Sequence, residues 1–280
     1  MRADLVDAVL ARLGVERPEP DLAGLRRLYD GWCRSVPFDN TRKLIHIYED
    51  LPGPLPGSNA EDFFDAWLAH GTGGTCWAGN GALHDLLEAL GFVVARALAT
   101  MLLRSDAPSP NHGTVIVSIE GARWIADASI LSVEPIAIPE RDTPPVEGPL
   151  PRFEWLGDSP AVRWRMLRAP DGFLCRIDRI GADEEAWNAL HRRTTMWSPF
   201  NYMLTARLVQ GTASVGVEAG QRYVLDAEFD AAPVEGSERA RFLVEQIGIA
   251  EEVAARVPPD RPIPPRQEAR DSLVDRLARP

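Results

Sequence analysis

The feature that most constrains this chain is a change of periodicity near Phe92. Before it, apolar residues recur at helical spacing; after it, they come in short runs rich in branched side chains. Leu5, Val6, Val9, Leu10 and Leu13 fall on one helical face, and Gly14 ends the run. Asp21 is placed to cap a second helix carrying Leu22, Leu25, Leu28 and Tyr29, since its carboxylate can accept from the free N–H groups of a first turn. Pro37 breaks that pattern, and Pro52–Gly57 reads as a loop. Asn59 starts another helix running through Leu68, with capping-box character. The turn Gly71-Thr-Gly-Gly74 then leads into a helix from about Trp77 to Leu90, stopped by Gly91.

Beyond Phe92, Val93–Leu103 is a strand candidate. Thr114–Ile119 and Arg123–Ala126 are two more, joined as a hairpin through Glu120-Gly-Ala122. A Pro-rich loop follows from about Ser132 to Pro151. Further strands are expected at Val162–Leu167 and Gly172–Ile180, and a helix at Glu184–Arg193. Met203–Val209, Thr212–Val217 and Gln221–Val224 read as a meander. A short helix at Arg239–Ile247 follows, and the tail after Pro258 is expected to be a helix packed on the surface. Helices, then strands, then a mixed end predict an α+β fold.

Charge and cysteine usage narrow the chemistry. With 30 Lys and Arg against 41 Asp and Glu, the net charge is −11, and no basic run exists to meet nucleic acid or an anionic membrane. Three cysteines, Cys33, Cys76 and Cys175, without a CxxC or a His/Cys cluster, suit neither a disulfide framework nor zinc. Met1–Gly14 is a charged amphipathic stretch rather than a leader, and no window reaches the ~20 apolar residues of a membrane span. The expectation is a cytoplasmic protein with no bound metal, in which one well-placed cysteine is catalytic.

Cys76 is that cysteine. It follows Gly73-Gly74-Thr75 at a helix start, where unpaired N–H groups and the helix dipole favour a thiolate. The glycines allow close backbone approach to a substrate and leave N–H groups to hold an oxyanion. The hairpin supplies a base and its orienting carboxylate. If the loop is Glu120-Gly121, Asp127 lies opposite Thr114; if it is Gly121-Ala122, Asp127 lies opposite Ile116. Either way His112 and Asp127 share one face of the ribbon, and in the first register they are diagonal neighbours ~7–8 Å apart. A three-residue loop would reverse the parity. Cys33 and Cys175 fall on core-facing patterns, and His46, His70, His84 and His191 show no comparable partners.

The blocks Val36-Pro-Phe-Asp-Asn40, Gly73-Gly-Thr-Cys76-Trp-Ala-Gly-Asn80, Asn111-His112, Ala126-Asp127 and Ser198-Pro-Phe200 resemble the arylamine N-acetyltransferase family, in its order, from about residue 5 to 249. The resemblance implies a helical domain (1–91) carrying the cysteine, a β-barrel domain (92–185) carrying the histidine and aspartate, and an α/β lid domain with a C-terminal tail (186–280), around a cysteine-protease-like core. It also implies a Cys76–His112–Asp127 triad, an acyl-cysteine intermediate, and substrate contacts at Phe38, Gly74, Thr75, Trp77 and Phe200. No cofactor is bound in such an enzyme; the acyl thioester, on CoA or on a carrier protein's phosphopantetheine, is a substrate. Ser35, Thr72 and Gly79 stand where the family usually has Arg, Arg and Glu, and Ala128-Ser-Ile-Leu131 replaces a Gly-Phe-Gly type turn. These departures tilt the expectation toward release or ring closure of a carrier-bound chain in secondary metabolism, by Dieckmann or amide-forming attack. The alternatives are acetyl transfer from acetyl-CoA to an arylamine or hydroxylamine, a transglutaminase- or protease-like hydrolase, and a binding module without catalysis.

Overall fold

The computed structural model describes residues 1–103, 110–141, 148–226 and 229–266. The chain opens with α1 (Ala3–Leu13) and α2 (Leu22–Ser35), passes through a short strand β1 (Phe38–Asp39), and continues with α3 (Thr41–Tyr48), α4 (Ala60–His70) and α5 (Cys76–Ala89). The caps are local chemistry. Asp21 accepts from the Gly24 N–H at 2.6 Å, and Asn59 from the Asp62 N–H at 2.9 Å. Gly14 ends α1 in the left-handed conformation, φ 69°. The helices close over an aromatic centre in which Trp32 stacks on Phe63 and both Trp32 and Phe63 meet Phe64 edge-on. Helix α5 is buried between α4 and the first sheet, so its N-terminus, and with it Cys76, is set in the interior.

That sheet is antiparallel and seven-stranded: β2 (Val93–Met101), β3 (His112–Ile119), β4 (Ala122–Ala126), β5 (Ile136–Ile138), β6 (Arg152–Leu156), β7 (Ser159–Met166) and β8 (Ala169–Ile180). Its spatial order is β5-β4-β3-β2-β8-β7-β6, and the end strands β5 and β6 approach each other, giving a nearly closed barrel. Ile116, Ile125, Val162, Trp164, Phe173 and Ile177 fill it. After α6 (Glu184–Arg193), β9 (Thr205–Gln210), β10 (Ala213–Glu218), β11 (Gln221–Leu225) and β12 (Phe229–Pro233) form a second sheet, with β1 added at the β9 edge. Its apolar face, Leu204, Ala206, Leu208 and Val217, packs against α7 (Gly236–Phe242), the wider π-type turn Leu243–Ile247 that prolongs it, and α8 (Glu251–Ala254). The fold is α+β, with a helical first region and a barrel-like sheet. Among the described residues no helix is long and apolar enough to cross a membrane.

Several local expectations change. Helix α3 forms where only a break at Pro37 was read, and Ile136–Ile138, inside the expected Pro-rich loop, pairs with Arg123–Ile125 as β5. Both are tertiary choices: α3 buries Leu44 and Ile45 against the second sheet, and β5 completes an edge. Residues 142–147 of that loop lie outside the described residues. The tail is extended from Pro258 through Pro265 rather than helical, with Trp197 Nε1 donating to the Pro264 carbonyl; residues 267–280 lie outside the described residues.

One turn positions the site. Glu120 and Gly121 both take positive φ, 50° and 82°, as a two-residue type I′ hairpin requires. Ile119 therefore faces Ala122 and Val115 faces Ala126, the first of the two registers, so Asp127 follows β4 opposite Thr114 on the same face as His112.

Candidate active site

Cys76 is the first residue of α5, 6% exposed, on the wall of a cavity of about 390 Å³. The turn before it is tied down from β1. The Asp39 carboxylate accepts from the Gly73 N–H at 2.6 Å and from the Thr41 N–H and hydroxyl at 2.9 and 2.6 Å. Burial raises the Asp39 pKa, against which these hydrogen bonds act. Gly73 is required here because a Cβ would sit 1.8 Å from the Pro37 carbonyl oxygen. Its N–H is consumed by Asp39, so this glycine does not serve as an oxyanion donor, contrary to the expectation from sequence. The N–H groups of the first turn of α5 are the ones with no intrahelical acceptor.

His112 opens β3 and donates from Nε2 to Asp127 Oδ2 at 2.7 Å; both are buried. The other ring nitrogen, Nδ1, is not used by Asp127, and the Cys76 side chain acts on the same ring. Burial alone would lower the His112 pKa, but the Asp127 carboxylate and the Cys76 sulfur outweigh it and hold it at about 10. Burial likewise opposes ionisation of Asp127, and His112 overcomes it, bringing the carboxyl down to about 2. The second carboxylate oxygen accepts from the Ser129 and Ile130 N–H groups at 2.7 and 3.0 Å and from Asn80 Nδ2 at 3.3 Å. Asn80 also donates to the Gly113 carbonyl at 2.7 Å and accepts from the Ala128 N–H at 2.8 Å. Beneath this, the Tyr29 hydroxyl donates to the Asp127 carbonyl at 2.8 Å. The sequence-predicted trio is thus brought together from one helix start and one hairpin.

Of the five residues expected to touch substrate, Phe38, Trp77 and Phe200 line the cavity. Gly74 and Thr75 do not: a Cβ on Gly74 would meet Ala78 and Phe63, and Thr75 is the buried N-cap of α5. Lining residues that the sequence did not point to include Ser129, Trp164, Arg168 and Arg207. Asn80 was findable: it lies one helical turn beyond Cys76, on the same face of α5. Among the described residues, the charged side chains on the cavity wall are His112, Arg168, Arg193, Arg207 and Arg266, with no carboxylate.

The other cysteines are buried, and burial pushes Cys33 up to about 12 and raises Cys175 as well. Two histidines do have carboxylate neighbours: His70 meets Glu252 at 3.0 Å and His84 meets Asp85 at 2.9 Å. His84, Asp85 and Glu88 bring three potential ligand atoms within 4.8 Å of one another, but Arg96 already pairs with Asp85 at 2.6 Å.

Comparison with known proteins points to one family. The family described as N-acetyltransferase matches residues 21–153. An arylamine N-acetyltransferase of Mycolicibacterium smegmatis is 34% identical over 125 residues, 42% of this chain and 43% of that protein, so the alignment spans less than half of the relative. Solved structures share the fold over nearly the whole chain. The arylamine N-acetyltransferase from Salmonella typhimurium superposes with a TM-score of 0.73 at 17% identity, covering 98% of this chain and 100% of that one. The Mycobacterium marinum enzyme, solved in complex with CoA, gives 0.74 at 19% identity over 90% and 98%. The segment that holds Cys76, His112 and Asp127, residues 21–153, is thus the part of the chain that resembles the N-acetyltransferase family.

Proposed function

We propose that this chain is a cysteine-dependent acyltransferase that takes an acetyl group from a CoA thioester onto Cys76 and passes it to an amine, in the manner of an arylamine N-acetyltransferase. The observation that carries the reading is the continuous chain from Asp127 through His112 to Cys76 at a helix N-terminus, opening on a 390 Å³ cavity. The sequence departures lean toward chain release from a carrier. The relatives matched are acetyltransferases, one of them solved with CoA, and they favour acetyl transfer from CoA over that lean.

The steps follow from the geometry. His112 Nδ1 takes the Cys76 proton, and the thiolate attacks the thioester carbonyl. First-turn N–H groups of α5 face the developing oxyanion. The C–S bond to CoA breaks, and the imidazolium returns its proton to the departing thiolate, leaving acetyl-Cys76. An amine then attacks this second thioester, His112 removes the amine proton, and Cys76 leaves as the amide forms. Asp127 holds the imidazolium through both halves and stays ionised. Arg193, whose pKa burial lowers and Arg266 lowers further, donates to the Pro110 carbonyl and has no ion-pair partner among the described residues. Both line the cavity, where they would meet the thioester's phosphates.

Intact-protein mass spectrometry after incubation with acetyl-CoA tests this. One acetyl adduct is expected, absent in Cys76→Ala and discharged by an added arylamine. An adduct or cyclised product from a long-chain pantetheine thioester alone would replace acetyl transfer with chain release. No adduct from either donor would overturn acyl transfer.

A further inference from the structure

Two polar groups in the cavity beside Cys76 play no part in the steps above. Arg207, on β9, is 3% exposed. Its guanidinium carbon lies 4.5 Å from the centre of the Phe38 ring and 4.9 Å from that of Trp164, so two aromatic rings hold it in place. It donates to the Ser129 carbonyl, and the Tyr223 hydroxyl hydrogen-bonds to it as well. Among the described residues no carboxylate lies within ion-pair distance of it. Glu218, which the β9–β10 register puts on the same face of the sheet, is paired instead with Arg168 at 2.5 Å. Ser129 is 2% exposed, lines the same cavity, and its Oγ has no hydrogen-bond partner.

Each observation carries a cost. A buried hydroxyl without a partner loses about 1–3 kcal/mol of hydration, and a buried cation without a counter-ion costs more. Here the guanidinium bonds to the carbonyl of the same Ser129, and both residues line a cavity whose charged groups, among the described residues, are all basic, in a protein of net charge −11. A rigid guanidinium with free N–H groups beside a hydroxyl donor matches one ligand chemistry above others, the planar carboxylate.

We propose that Arg207 and Ser129 form a carboxylate subsite, so that the substrate of this protein carries an acid group in addition to the group that reacts. The acid belongs either to the acceptor amine or to the acyl group, as in a half-thioester of a dicarboxylic acid. The inference rests on the acyl-transfer reading for its reaction, but not for its binding.

The test separates the two. Binding to the Cys76→Ala protein is measured by calorimetry for 4-aminobenzoate against 4-aminobenzamide, and for succinyl against butyryl N-acetylcysteamine thioesters, which carry no phosphate. The acid is expected to bind about tenfold or more tightly in at least one pair, the size of one charged hydrogen bond, and the pair that discriminates identifies which substrate bears it. Arg207→Gln should abolish the preference, Arg207→Lys restore part of it, and Ser129→Ala reduce it several-fold. If Arg207→Gln does not fold, Ser129→Ala, which removes a single oxygen, decides alone. No acid preference in either pair, or a preference unchanged in the variants, overturns the subsite while acetyl-Cys76 formation still stands. Loss of CoA binding in Arg207→Gln with no acid preference would assign the arginine to the thioester's phosphates instead. Acid selectivity in a protein that forms no acyl adduct would sink the reaction and leave the subsite.

Discussion

The Asp127 carboxylate and the Arg207 guanidinium, both buried at the cavity, differ in how completely they are partnered. Asp127 is held by His112, two backbone N–H groups and Asn80, and Asn80 is itself held at both ends of its amide. By contrast, among the described residues Ser129 Oγ has no partner, Arg207 has no counter-ion, and behind the wall Lys43 is buried with only the Thr194 hydroxyl, at 2.9 Å, as its acceptor. Complete satisfaction fixes a geometry, and a group left incompletely satisfied is free to be completed by something that arrives. The Asp127 carboxylate is therefore over-determined, whereas the Ser129 hydroxyl and the Arg207 guanidinium are left to be completed by something that arrives.

The most severe way to break this contrast is Asp127→Asn. The amide keeps the shape but cannot neutralise an imidazolium or hold His112 in the right tautomer. The rate of acetyl-Cys76 formation should fall about 10³-fold or more. His112, now burdened by burial without its carboxylate, should titrate below its ordinary 6.5 instead of at about 10. In the unaltered protein the raised pKa stabilises the fold fully below pH 6.5, and that contribution is lost as pH rises through 10. Single-turnover kinetics and an NMR titration of His112 check both statements; a rate loss under tenfold would mean that His112 acts without Asp127.

The same contrast separates what the sequence revealed from what it hid. Helix caps at Asp21 and Asn59 depend on neighbours three residues away and were readable. So was the shared face of His112 and Asp127, because a hairpin converts sequence parity into geometry. Asp39 and Arg207 were not. Asp39 reaches Gly73 across 34 positions, and the contact of Arg207 with Ser129 spans 78, through chain segments whose approach no local rule encodes. Arg207 alternates with buried Ala206 and Leu208 on β9, a pattern that reads as a solvent-facing charge until the barrel and β1 cover it. Lys43 likewise lies in a helix too short and too polar to be read as one.

Lys43→Met sharpens the comparison from the other side. Burial lowers the Lys43 pKa from 10.5 to about 7, with Cys76 acting the opposite way. A charged lysine there costs the folded state on the order of 4 kcal/mol at neutral pH. Methionine of similar length removes that cost and gives up one hydrogen bond, so a net stabilisation of about 3 kcal/mol is expected at pH 7. The sign over pH is fixed: the penalty is complete below pH 7 and fades as pH rises toward 10.5, where the unfolded chain also releases its proton. Denaturant melts at pH 6.5, 8 and 9.5, values spanning roughly that range, should show a shrinking gain. A constant gain would assign the effect to packing, and no gain would show that the amine is hydrated.

The smallest effect expected is that of Asn80→Ala. The substitution removes two donations, to Gly113 and to Asp127, and strands the Ala128 N–H without its acceptor. Because these groups are buried, the loss should be about 2 kcal/mol of stability, with acetyl-Cys76 formation slowed about tenfold as Asp127 gains freedom. Asn80→Asp distinguishes support from mere filling. It restores the acceptor for Ala128 but sets a second carboxylate against Asp127, and like charges at that distance raise the pKa of one of them. The acidic limb of the pH–rate profile should then move upward, while stability at neutral pH falls no further than in Asn80→Ala. If both variants melt and react as the unaltered protein does, the hydrogen bonds around Asp127 are redundant, and the contrast reduces to the single contact between His112 and Asp127.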